Sequence, residues 1–154
     1  MNSIGATIIS HPFFQTMPPE HLALLSKNAQ EVEFQSGEIL FREGEPANRF
    51  YLIESGRVAI EAGAQEGKSI QTLGPGEVLG WSWLFPPFAW HFQARATEPT
   101  TAIIFSGAHL LTTAESNHDF GYELMKRMAQ VVIHRLQATR RQLLALQVES
   151  ALEG

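Results

Sequence analysis

Apolar and polar positions follow two different periods along this chain, and the change falls between Ser106 and Glu115. Between Glu31 and Ser106 the apolar residues come in short runs. These are Val32-Glu33-Phe34, Ile39-Leu40-Phe41, Phe50-Tyr51-Leu52-Ile53, Val58-Ala59-Ile60, Phe92 to Thr97 and Ala102 to Phe105. Ser36-Gly37, Glu43-Gly44-Glu45-Pro46, Ser55-Gly56 and Gly74-Pro75-Gly76 separate them. Runs this short between glycine turns predict a β-sandwich, roll or barrel, not a parallel sheet with crossover helices. Ahead of them, Pro18-Pro19-Glu20 followed by His21 to Leu25 predicts a short helix, because a first helical turn tolerates proline. From about Glu115 glycine and proline vanish, apart from Gly121 and the last residue. Met125, Ala129, Val132, Leu136, Thr139, Leu143 and Leu146 then recur in alternating steps of four and three, a heptad-like seam. Such a helix, running to about Val148, would be about 50 Å long, more than a small roll covers. A soluble monomer rarely exposes an apolar stripe of that length. Val132, Leu136, Leu143 and Leu146 are therefore the expected interface of a parallel homodimer.

Composition narrows the classes. A chain of 154 residues with 44% hydrophobic and 18% charged residues suits one ordinary domain with a real core. A formal charge of −5 gives no broad basic surface for nucleic acid. The absence of cysteine excludes disulfides, thiol catalysis and cysteine-ligated metal centres. Met1 to Phe14 lacks the basic start of a secretory signal, and the longest apolar stretch, Val78 to Trp90, is broken by Ser82 and Pro86-Pro87. A soluble, cytoplasmic protein without a membrane partner is the expectation. The histidines (His11, His21, His91, His109, His118 and His134) form neither His-x-His nor a helical i, i+4 pair, so no metal or cofactor is expected. Gly74-x-Gly76-x-x-x-Gly80 misses the dinucleotide fingerprint in spacing and context, and neither a nucleophile elbow nor a Walker loop occurs. No enzyme is expected. Lys126, Arg127, Arg135, Arg140 and Arg141, interleaved with glutamines and the apolar seam, read as a solvated coiled-coil flank.

The stretch Gly37-Glu38-Ile39-Leu40-Phe41-Arg42-Glu43-Gly44-Glu45-Pro46-Ala47, continuing Phe50-Tyr51-Leu52-Ile53-Glu54-Ser55-Gly56-Arg57-Val58, resembles the cyclic nucleotide-binding domain of the bacterial cyclic-AMP receptor and oxygen-sensor regulators (Crp/Fnr). The resemblance runs from the proline-marked helix to the long C-terminal helix. It implies an α+β fold: an antiparallel β-roll (jelly roll, double-stranded β-helix) with short flanking helices and a long C-terminal dimerisation helix. One domain over 1–154 is expected, with N-terminal helices at about 12–30, the roll at 31–106 and C-terminal helices at 107–150. Gly44 and Gly56 sit where tight turns between strands call for positive φ.

In that family a phosphate-binding cassette holds the ligand. A Gly-Glu pair opens a short helix, the Glu takes the ribose hydroxyl, and a later Arg pairs with the cyclic phosphate. Here the corresponding stretch is Gly74-Pro75-Gly76-Glu77-Val78-Leu79-Gly80-Trp81-Ser82-Trp83-Leu84. Gly80 matches the cassette glycine, which puts Trp81 at the ribose-binding position, and Glu77 matches an acidic turn position. Counting back from Phe92-Gln93-Ala94-Arg95-Ala96 puts Trp90 at the Arg position, or Phe88 if a gap is placed at Pro87. Neither is basic, so binding of cyclic AMP in the family's manner is not expected. Two readings of the aromatic cluster stay open. The rings either fill the old pocket or cover the core, or they form a site for an apolar or aromatic ligand. In the second case Gly80, Trp81, Ser82, Trp83, Trp90, His91 and Gln93 are the candidate binding residues, with Ser82, His91 and Gln93 as polar handles. Family regulators read DNA through a helix-turn-helix placed after the long helix, and only eight residues follow Leu146. Direct DNA binding is accordingly not expected. The sequence thus predicts a non-catalytic regulatory or sensory module. The alternatives are a cyclic-nucleotide binder with a rearranged cassette, and a dimeric scaffold for a protein partner.

Overall fold

The computed structural model describes residues 12–62 and 69–153. The segment 1–11, read above as lacking a secretory signal and carrying His11, lies outside them, as do 63–68 and Gly154. A 3-10 turn (Pro12–Phe14) leads to helix α1 (Pro19–Ser26), which starts with the predicted proline in its first turn. The strands are β1 (Gln30–Phe34), β2 (Ile39–Phe41), β3 (Arg49–Ser55), β4 (Val58–Glu61), β5 (Ser69–Leu73), β6 (Val78–Leu79), β7 (Gln93–Ala96) and β8 (Thr100–Ser106). Helices α2 (Gly107–Ser116) and α3 (His118–Glu153) follow. The predicted runs are β1, β2, β3, β4, β7 and β8. Strands β5 and β6 are additions, the one polar and alternating, the other two residues long.

The strands form two four-stranded antiparallel sheets, ordered β1-β8-β3-β6 and β2-β7-β4-β5. This is the predicted roll. Strand β3 shows how the sequence builds two cores from one element. Phe50, Tyr51, Leu52 and Ile53 are all buried, but alternate residues point to opposite faces. Tyr51 and Ile53 enter the roll interior with Leu40, Phe41, Val58, Ile60, Leu79, Trp90 and Ala94. Phe50 and Leu52 face outward and pack with Phe14, Leu25, Phe105, Leu110, Phe120, Leu124 and Met128 of the helical layer. At the β3–β4 turn Gly56 has φ +96°, and a Cβ there would collide with Thr100 and the Pro99 carbonyl.

The C-terminal helical stretch is two helices. Asn117 stays extended, and its Oδ1 accepts a hydrogen bond from Phe120 N at 3.1 Å, capping α3 and ending α2 just before it. Helix α3 has 36 residues, about 54 Å at the standard rise. Among the described residues no helix is long and apolar enough to cross a membrane. One expectation is corrected here: Arg127 and Arg135 are not part of a solvated flank but are buried against the body of the protein. Arg127 pairs with Glu123 at 3.2 Å and donates to Phe13 O at 2.7 Å, holding the N-terminal turn to α3.

Candidate functional site

The cassette-like segment between β6 and β7 contains no helix; it runs as successive turns from Ser82 to Pro87. Leu84 N donates to Trp81 O and Phe88 N to Phe85 O, each closing one turn. The helix N-terminus that the resemblance implies for binding a phosphate is thus absent from this segment. Glu77 takes the predicted turn role, its Oε2 accepting from Gly74 N at 2.7 Å.

Trp90 occupies the roll interior. Its backbone is clamped to the β2–β3 turn, with Trp90 N donating to Glu45 O at 3.0 Å and Gly44 N donating to Trp90 O at 2.8 Å. The clamp drives the indole inward, where it is 1% exposed. It stacks on Phe41 with ring centroids 3.7 Å apart and planes 12° apart. Phe41 in turn stacks on Tyr51 at 6.1 Å. The other side of the indole closes on Gly80, which has φ +106°. A Cβ at Gly80 would lie 2.8 Å from the ring edge, so the close approach requires glycine. The indole N–H makes no hydrogen bond. Tyr51 carries the polar tip of this column: its hydroxyl accepts from Arg49 Nε at 2.6 Å. Burial holds that hydroxyl's pKa above the usual value of 10, so it stays neutral at physiological pH.

The structure does not assemble the remaining candidates around Trp90. Trp83 belongs to the helical layer, stacked on Phe50 at 5.5 Å, and donates its indole N–H to Gly80 O at 3.3 Å. Trp81 is half-buried at the edge of that layer, 6.5 Å from Phe92 between ring centroids. Phe85 and Phe88 are exposed. Of the polar handles, Ser82 is buried in the turn beside Trp83 and His91 is exposed. Gln93 cannot serve the interior. On β7 it alternates with Ala94 and Ala96, which face the roll core, and it lies on the opposite face. There its Nε2 donates to Glu61 Oε1 at 2.8 Å, while Arg42 donates to its Oε1 and Arg95 pairs with Glu61. The residues missed by sequence reasoning are Phe41, Tyr51 and Arg49. Their inward register on β2 and β3 follows from strand alternation, but their stacking on Trp90 depends on a contact between distant segments.

A family model described as Cyclic nucleotide-binding domain matches residues 31–117. Over 76 residues the chain is 38% identical to a CRP-like cAMP-activated global transcriptional regulator of Mycobacterium tuberculosis; the match covers 48% of this chain and 34% of the relative. The chain therefore spans about a third of that relative's length. Among solved structures, a protein from Geobacter metallireducens named as cyclic nucleotide-binding superposes with a TM-score of 0.78 and 28% identity, covering 88% of this chain and 99% of the other. The Catabolite Activator Protein of Thermus thermophilus gives a TM-score of 0.65 and 25% identity, covering 91% and 65%.

Proposed function

Since this chain belongs to the cyclic nucleotide-binding domain family, we propose that it is a non-catalytic regulatory module whose ligand pocket is filled by its own Trp90. The observation that carries this reading is the indole stacked on Phe41 and wedged against Gly80 inside the roll. The resemblance puts the phosphate-binding arginine at that position. A cyclic phosphate without its guanidinium forgoes a charge-assisted pair, where each such hydrogen bond is worth roughly 1.5–3 kcal/mol. Trp81 at the ribose position removes a second anchor, and the turns of 82–87 offer no helix dipole in compensation. Micromolar affinity requires about 8 kcal/mol, and stacking on an already buried indole does not supply it.

The exposed apolar stripe of α3 supports a second element of the reading, a homodimer through Val132, Leu136, Leu143 and Leu146. A ligand in the roll reorients the long helix in the family's mechanism. Here the indole takes the ligand's place, and the module works by presenting a fixed roll-and-helix surface to a protein partner.

The test is a titration of cyclic AMP and cyclic GMP followed by tryptophan emission and by calorimetry. All three tryptophans lie within residues 81–90, so a ligand entering the segment changes the signal. No saturable binding tighter than about 100 μM is expected, a threshold of about 5.5 kcal/mol. Micromolar binding to the native sequence would instead establish the rearranged-cassette reading.

A further inference from the structure

Arg135 is 7% exposed, yet its guanidinium is poorly compensated. One Nη donates to Val78 O, a neutral acceptor, and Nε makes no hydrogen bond. Among the described residues no carboxylate lies within 4 Å of it; Glu77 acts on it only from a distance. A buried cation without a counter-ion is costly, and burial accordingly lowers the Arg135 pKa from its usual value. Such a group in a native structure calls for an explanation, and an ion bound beside it is one. Arg135 also lines an open groove of about 390 Å³ between α3 and the β5–β6 region. Arg141, about one and two-thirds turns further along α3, lines the same groove, with His134, Gln71 and Gln142. The groove's carboxylate, Glu77, is engaged with Gly74 N and lies 3.7 Å from His134 Nε2. Two guanidiniums against one carboxylate leave the groove with net positive charge, set in a protein that is negative as a whole.

We propose that this groove between the long helix and strand β5 is a binding site for a small oxyanion-bearing ligand, a phosphate or polycarboxylate, held by Arg135 and Arg141. The site lies outside the roll interior and is independent of what occupies that interior. Two guanidiniums six residues apart along one helix suit an anion with separated oxyanion groups, and planar guanidinium is the side chain best matched to both phosphate and carboxylate. Such a ligand would bridge α3 to the edge of the roll. There Gln71 Nε2 already donates to Thr139 Oγ1 at 2.8 Å and to Arg135 O at 3.3 Å, and Gln142 Nε2 donates to Ile70 O.

The experiment titrates pyrophosphate and citrate into the protein at matched ionic strength, with chloride as the control, by calorimetry and thermal shift. Saturable binding of either probe is expected, and which probe binds tells phosphate from carboxylate. Arg141→Gln, at an exposed position, should weaken it at least tenfold. Arg140→Gln, which removes an equal charge outside the groove, should leave it within twofold. Trp90→Ala should leave it unchanged as well, which separates this site from the roll interior. The proposal is overturned if neither probe saturates below 10 mM, if Arg140→Gln and Arg141→Gln weaken binding equally, or if Trp90→Ala abolishes it.

Discussion

Phe120, Leu124 and Met128 in the first half of α3 are fully buried against the outer face of the roll, whereas Leu136, at 65% exposure, begins a second half whose Leu143, Leu144 and Leu146 lie largely in solvent. Both halves carry regularly spaced apolar residues. What differs is the surroundings. The first half makes the helical layer's core, and the second touches the roll through the Gln71 and Gln142 amides. Most helical stability in proteins comes from packing of an apolar face, so in the proposed dimer the second half draws its stability from the partner's helix across the stripe. The two halves should therefore respond to different variables: the first to substitutions in the core, the second to protein concentration.

The largest effect is expected at Leu124. Leu124→Ala leaves a cavity in the helical layer and should lower stability by about 2–5 kcal/mol, read as a fall in the urea midpoint that is the same at all protein concentrations. A loss below about 1 kcal/mol would mean the first half is not anchored as described. Next, Leu136→Glu or Leu143→Glu should convert a dimer to a monomer in light scattering, since each buried leucine contributes roughly 1.5–3 kcal/mol. A monomeric native protein would break the comparison, because the second half would then be ordered without a cover. Arg127→Ala should cost about 1–3 kcal/mol by leaving the Phe13 carbonyl without its charged donor, and hydrogen exchange near the N-terminal turn should speed up while the C-terminal end of α3 is unaffected. The smallest change is expected from Gln142→Ala, about 0.5–1.5 kcal/mol, because its bond to the Ile70 carbonyl lies in water's reach.

The strand alternation and the glycine turns made the roll legible in the sequence, and positive φ at Gly44 and Gly56 follows from the turn positions alone. The heptad reading found the stripe from Val132 onward but joined to it Met125, which packs on the helical layer. It also mistook Arg127 and Arg135 for surface. Helical period shows which residues share a face, not which of two neighbouring faces meets the body, and a long arginine stem covers apolar surface readily. The cassette was legible as a departure from the pattern that the resemblance implies, which puts Trp81 and Trp90 at the positions of the acid and the base and keeps only Gly80. That Trp83 and Trp90 go to opposite faces of one sheet was not legible. Both are apolar and close in sequence, and their separation is set by the β3 strand between the two cores.

Gly80 and Trp90 also fix the order in which this pocket can be remade. While the indole stands 2.8 Å from where a Cβ at position 80 would be, no side chain can be introduced there without displacing it. Position 90 is not under the same restriction, since a smaller residue there meets open space. Any mutational path toward an emptied roll must therefore begin at 90 and reach 80 afterwards, and even then the φ of +106° favours glycine. A library that varies both positions at once will return its folded members with tryptophan and glycine linked, and its glycine-free members only where the tryptophan has already gone.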